Sequence, residues 1–158
     1  MIQELRDLIR TTLTPLGLYS PAAEELLVAT CAQESALGKF RRQVGGPALG
    51  IFQMEPDTFN DIQLNYLRYH HALALQVCAL GNDGMDHMPF ADELVTNDEL
   101  AIAMARIQYL RAPDPLPAAT DLAGLWKIYK KVYNTPKGAA TMDQFYGNYR
   151  TLVAGSAT

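Results

Sequence analysis

Residues 20–38 read SPAAEELLVATCAQESALG and have the pattern of a capped helix. Ser20 is a typical N-cap, and the proline that follows it suits the first helical position. Two acidic residues, Glu24 and Glu25, lie near the positive end of the helix dipole. These signals predict a helix over 21–37, followed by a loop that begins at a glycine.

The rest of the chain has helical rather than strand periodicity. A helix is predicted over residues 1–14, and one or two more over 56–80. Capping patterns at Thr96, Thr120 and Thr141 predict three later helices. No segment shows a strong strand alternation, so the sequence predicts an all-α bundle of about six to eight helices with little or no β-sheet.

Length and composition indicate one ordinary globular domain. The chain has 158 residues, of which 49% are hydrophobic and 19% are charged. We expect a single domain over residues 1–158, with a catalytic core at about 20–152 and a small-residue tail over 153–158. The formal net charge is 13 minus 17, or -4, which argues against a nucleic-acid binder because no broad basic surface is implied.

The sequence predicts neither an export signal nor a membrane-spanning helix. Residues 1–10 include two acidic side chains and lack the basic and apolar regions of a signal peptide. The apolar run over 72–80 is far shorter than the ~20 residues that a membrane helix needs. Cys31 and Cys78 have no zinc-site spacing, so we expect packed thiols, no metal and no organic cofactor.

Glu34 is the candidate acid. At ~100° per residue it lies on the same face of its helix as Leu27 and Cys31. A carboxyl group removed from water is harder to ionise, so its pKa rises towards the range in which it can donate a proton near neutral pH. The alternative from position alone is a carboxylate at the edge of the core, or one that is paired with Arg41 or Arg42.

Four motifs in order along the chain resemble the soluble lytic transglycosylase family of the lysozyme-like superfamily. The family has a Glu-Ser pair, then Gly-Leu-Met-Gln-Ile-x-Pro-x-Thr, and later a Tyr-Asn pair. This chain has Glu34-Ser35, then GIFQMEPDT over residues 50–58, and then Tyr133-Asn134. Its helix with Tyr109-Leu110 resembles the one that precedes the last pair in the family, so the likeness covers about residues 21–135.

The resemblance implies roles for six residues. Glu34 would be the catalytic acid, the Tyr133 hydroxyl would lie against it and hold it in position, and Asn134 would serve the substrate or the end of its helix. The other three roles leave alternatives open. Ser35 would bind substrate or the motif backbone, and Gly50 would let the backbone approach a sugar or serve only a turn. Gln53 would bind an acetamido or hydroxyl group of the substrate or be a buried structural amide.

The resemblance also implies the reaction. Ordinary glycosidases use two carboxylates, and nothing in the sequence pairs obviously with Glu34. In the family, the substrate's own 2-acetamido group assists, the 6-hydroxyl of N-acetylmuramic acid attacks, and peptidoglycan is cleaved with a 1,6-anhydro product. Two alternatives remain, which are a hydrolytic enzyme similar to goose-type lysozymes and a non-catalytic wall-binding or virion structural module.

The implied partner is the glycan strand of bacterial peptidoglycan. We expect a monomer that is made in the cytoplasm and reaches the wall after holin-type release or inside a virion, as a phage-type lysin. A basic group of residues, Lys39, Arg41 and Arg42, lies in the loop after the candidate acid. It can either meet an anionic wall or form a solvated turn.

Overall fold

The chain folds as a bundle built around two buried helices in the computed structural model, which describes residues 1–157. Seven α-helices are described in this range, namely α1 (Ile2–Leu13), α2 (Pro21–Ser35), α3 (Pro56–Asn65), α4 (His71–Leu80), α5 (Asp98–Leu110), α6 (Leu122–Ile128) and α7 (Met142–Asn148). The prediction of an all-α bundle is confirmed. No helix of the described chain has the length and apolar character needed to cross a bilayer.

Short helical turns and isolated bridges complete the fold. The 3-10 turns cover Leu67–Tyr69, Ala91–Val95 and Ala154–Ala157, and π-helical turns cover Tyr129–Asn134 and Tyr149–Val153. The only extended pairing within residues 1–157 is a pair of isolated bridges, which join Leu49 to Arg42 and to Met54. These bridges order part of the glycine-rich loop, which the sequence predicts to be irregular.

α2 and α5 form the centre of the molecule. The run Leu26–Ala32 is buried throughout, and so is Leu100–Ala105. A helix that is apolar on all sides is stable only when other helices surround it, and α2 packs against α1, α5 and α7. Cys31 and Cys78 are free and buried, as the sequence predicts. Glu34 therefore lies in the last turn of a helix that other helices hold on nearly every side.

Ion pairs fasten α1 to the first turn of α2. Arg6 Nη1 lies 3.1 Å from Glu24 Oε1 and 2.7 Å from Glu25 Oε2, and Arg10 Nη2 lies 3.1 Å from Glu24 Oε2. The hydroxyl of Tyr149 donates to Glu25 Oε1 at 2.6 Å. The two glutamates, which the sequence suggests as partners of the helix dipole, thus join both ends of the chain to the central helix.

Three boundaries differ from the sequence predictions. α2 ends at Ser35 rather than at 37, because Ala36 and Leu37 take left-handed backbone conformations with φ of 50° and 59°. The later caps are Asn97 and Asp121, whose side chains accept from backbone N–H groups three residues ahead. They replace the expected threonine one residue earlier in each case.

The other predicted features of the helix ends have mixed outcomes. The Ser20 cap, the first-turn Pro56 and the Thr141 capping box are confirmed. The predicted tail over 153–158 begins inside the core, since Val153 is buried. Thr158 lies outside the described residues.

Candidate active site

Glu34 stands at the C-terminal end of α2, where its carboxyl group is largely withdrawn from water. Burial raises the pKa of this group from 4.5 to about 7, although a hydrogen bond from Tyr129 opposes that rise. Arg41, a possible partner from the sequence, instead forms an ion pair with Asp98, with Nη1 2.5 Å from Oδ1. Glu34 has no cationic partner among residues 1–157, so the charge of its ionised form is uncompensated.

Tyr129 makes the hydrogen bond that the family resemblance assigns to Tyr133. The Tyr129 hydroxyl donates to Glu34 Oε1 at 2.6 Å, whereas the Tyr133 hydroxyl donates to the Phe52 carbonyl at 2.8 Å. Both tyrosines lie in the π-helical turn Tyr129–Asn134, where their rings stack with centroids 6.3 Å apart. The first tyrosine therefore holds the acid, and the second holds the backbone of the second motif.

Ser35 is a structural link rather than a substrate ligand in this geometry. Its side chain is fully buried, its hydroxyl donates to the Ile51 carbonyl at 2.6 Å, and it accepts from the Gly38 amide at 2.8 Å. The sequence analysis left open a bond to substrate or to the motif backbone, and the structure has the second. The link fixes the second motif beside the end of α2.

Gly50 and Gln53 are the two ends of a tight turn. Leu49 and Met54 exchange both backbone hydrogen bonds around it, and the two end residues have φ of 75° and 47°. A Cβ at Gly50 would lie 2.3 Å from the Leu94 carbonyl oxygen. The close approach at Gly50 is therefore to the protein's own backbone, and this residue is buried away from the cleft described next.

A cleft of about 700 Å³ opens beside Glu34. Of the expected site residues, it brings together Glu34, Gln53, Tyr133 and Asn134, while Ser35 and Gly50 support it from behind. Six of its lining residues share an amide side chain with two kinds of polar atom, and these are Gln33, Gln43, Gln53, Gln108, Asn134 and Gln144. Its described lining has no lysine or arginine. Such a surface suits a neutral ligand with many hydroxyl and amide groups.

Backbone contacts fix the orientation of several of these amides. Gln53 Nε2 donates to the Gly50 carbonyl at 2.9 Å and to the Phe40 carbonyl at 3.3 Å, which leaves Oε1 as an acceptor. Gln144 Oε1 accepts from the Thr141 amide at 3.1 Å, which leaves Nε2 as a donor. The cleft thus offers acceptors and donors at set places, as an acetamido group requires.

Lys130 holds the segment that follows the Tyr-Asn pair. Its Nζ donates to Asn134 Oδ1 at 2.7 Å, to the Gly138 carbonyl at 2.7 Å and to the Ala140 carbonyl at 3.1 Å. Thr135, the residue after the Tyr-Asn pair, has a φ of 64°. A single cation therefore holds the segment after the Tyr-Asn pair against the end of its helix, and Asn134 lines the cleft.

Sequence reasoning missed several cleft residues. Tyr129, Gln33 and Gln108 line the cleft, but none of them is among the residues to which the resemblance gives a role. Glu55 is exposed and also lines the cleft. The four-residue spacing between Tyr129 and Tyr133 was the one signal that both could face the same side.

Groupings of metal-ligand type are absent from the part of the chain described here. No three His, Cys, Asp or Glu side chains among residues 1–157 are placed to hold a metal ion. The closest approach is His87 Nε2, which lies 3.0 Å from Asp83 Oδ2 in an exposed loop.

Comparisons of this chain with protein-family models, with curated proteins and with solved structures return no match. The likeness to the soluble lytic transglycosylases therefore rests on the four sequence motifs alone.

Proposed function

We propose that this protein is a peptidoglycan lytic transglycosylase that cleaves the β-1,4 bond between N-acetylmuramic acid and N-acetylglucosamine. The observation that carries this proposal is Glu34, whose pKa is raised to about 7 at the edge of an amide-lined cleft of about 700 Å³. An acid with this pKa is partly protonated at neutral pH and can protonate a glycosidic oxygen. The uncharged amide side chains that predominate in the cleft lining support a glycan substrate.

In the proposed mechanism, Glu34 acts first as an acid and then as a base. It gives its proton to the glycosidic oxygen as the bond to C1 breaks, and the substrate's 2-acetamido oxygen stabilises C1. The resulting carboxylate then removes the proton from the 6-hydroxyl of N-acetylmuramic acid, whose oxygen attacks C1. Tyr129 keeps the carboxyl group in place through both steps, because its hydroxyl bonds Oε1 directly. The product is a 1,6-anhydro sugar.

Hydrolysis of the same bond is the second candidate, and Glu55 favours it. This side chain lines the cleft together with Glu34, so the site holds a second carboxylate that the sequence did not reveal as a partner. In an inverting glycosidase, the second carboxylate activates water on the opposite face of the sugar. Glu55 would have that role if water were the nucleophile.

Digestion of purified peptidoglycan with matched variants tests both candidates. We expect Glu34→Gln to lose at least about 100-fold in rate, because acid–base help is typically worth that much. A Glu34→Gln variant with more than about a tenth of the wild-type rate would show that the assignment is wrong. Wild-type protein that binds the wall without cleaving it would instead be a non-catalytic wall-binding or virion module.

Mass spectrometry of the soluble products then identifies the reaction. Anhydro ends, with full activity in Glu55→Gln, are the result expected for a transglycosylase. Reducing ends, with activity lost in Glu55→Gln, would make the protein a lysozyme. We further propose that the protein is a phage-type lysin and that it acts as a monomer.

A further inference from the structure

Gln108 differs from the other amide side chains that line the cleft. It lies on α5, and its Oε1 is buried without a hydrogen-bond partner among residues 1–157. Its Nε2 donates to the Val132 carbonyl, at a long 3.4 Å. That contact fixes which end of the amide is free, because Oε1 in the same place would face another oxygen.

A buried acceptor without a partner destabilises the free protein. Native structures contain few such groups, because each one gives up its hydrogen bond to water and gains nothing in return. Gln144 shows the usual outcome in the same cleft, since its Oε1 accepts from the Thr141 amide at 3.1 Å. An orphaned acceptor beside a candidate catalytic group suggests that stability has been given up for function.

We propose that Gln108 is a substrate-binding residue that accepts a hydrogen bond from an N–H or O–H group of the bound glycan. The inference rests on the proposed function, and it adds a contact that the motifs do not include. In the free protein Oε1 is covered, so the amide must turn towards the cleft for a ligand to reach it. The turn breaks one described hydrogen bond, the long contact with the Val132 carbonyl.

The test replaces Gln108 with methionine, which keeps the length of the side chain and removes its amide. Gln63→Met is the matched control. Gln63 lies outside the cleft lining, and its Nε2 donates a hydrogen bond of 2.8 Å to the Pro89 carbonyl. The measurements are KM and kcat on purified peptidoglycan, and the melting temperature. A Kd for a hexamer of N-acetylglucosamine, measured in the Glu34→Gln background, reports binding without turnover.

In Gln108→Met we expect KM and Kd to rise about fivefold, as the loss of one neutral hydrogen bond predicts. The kcat and its pH profile should stay as in the wild type, and the melting temperature should not fall, because the substitution removes an unsatisfied acceptor. Gln63→Met should have the opposite profile, with unchanged KM and a melting temperature lower by about 2–4 °C.

Two outcomes would overturn the inference, and each is separable from failure of the proposed function. If the wild type is active and Gln108→Met has the same KM and Kd, the inference about Gln108 is wrong while the proposed function stands. A fall in melting temperature with reduced kcat and unchanged Kd would show that Gln108 is structural. A wild type that does not cleave peptidoglycan would overturn the proposed function and this inference with it.

Discussion

The two ends of α2 carry glutamates that are both withdrawn from water but have different neighbours. Glu24 and Glu25 at its start have side chains only 8% and 12% exposed, and arginines from α1 bind them. Glu34 at its end meets a tyrosine hydroxyl and no cation among residues 1–157. The same residue type is a structural anion at one end and a candidate acid at the other.

This difference separates burial from its chemical consequence. Withdrawal from water penalises the charged form of any carboxyl group, but a guanidinium beside it offsets the penalty. The pKa of Arg6 is raised by its hydrogen bonds to Glu25 and Glu24, so its guanidinium group stays charged beside them. At Glu34 nothing offsets the desolvation except one hydroxyl donor, and the carboxyl group retains its proton up to about pH 7.

The largest effect is expected when the ion pairs at the start of α2 are removed. Arg6→Met leaves two nearly buried glutamates short of their shared cation, and the free energy of unfolding at pH 7 should fall by about 3–4 kcal/mol. Urea denaturation measures this loss, and activity per folded molecule should be unchanged because the cleft is at the other end of α2. Arg10→Met is the control, since Arg10 is half exposed and its loss should destabilise the protein much less. A loss in Arg6→Met no larger than in this control would contradict the comparison.

The second prediction concerns the pH dependence of stability that Glu34 introduces. Its pKa in the folded state, about 7, is above its ordinary value of 4.5, so the folded protein binds this proton more tightly than the unfolded chain. The stability that protonated Glu34 contributes is complete below about pH 4.5 and is lost as the pH rises to about 7. At about 1.4 kcal/mol per pKa unit, the loss is about 3 kcal/mol.

Glu34→Gln should lack this pH-dependent loss, because glutamine does not titrate. Urea unfolding of both proteins at pH 4.5, 6 and 8 measures the difference, and all other titrating groups cancel in it. Wild-type and variant stabilities that run parallel across this range would show that Glu34 is not an unpaired buried acid.

The sequence was sufficient to predict the helices and the burial of Glu34, since both depend on local signals. Capping residues and apolar spacing act over a few positions, and they place Glu34 on a buried helix without reference to the rest of the chain. The partner of Arg41 could not be predicted, because Asp98 lies 57 residues away and is one of several acidic residues at helix starts. Pairing over such distances is a property of how helices pack.

The assignment of the tyrosine failed for a related reason. Tyr129 and Tyr133 are both compatible with a helix that faces Glu34, and the choice between them depends on the local winding. The segment Tyr129–Asn134 is π-helical, with hydrogen bonds to the fifth residue rather than the fourth, and no local pattern in the sequence indicates this widening. The motif resemblance therefore located the helical segment that contacts Glu34, but it pointed to the other tyrosine of that segment.

The smallest predicted effect decides between those two tyrosines. Tyr129→Phe removes the donor that lowers the pKa of Glu34, so this pKa should rise further, by about one unit. Activity falls at high pH as Glu34 loses its proton, and this fall should move to higher pH by the same amount. NMR titration of the Glu34 carboxyl carbon should show the shift directly. Tyr133→Phe should leave both in place, because its hydroxyl bonds the Phe52 carbonyl. A shift in Tyr133→Phe alone would restore the role that the motif implied and would remove Tyr129 from the site.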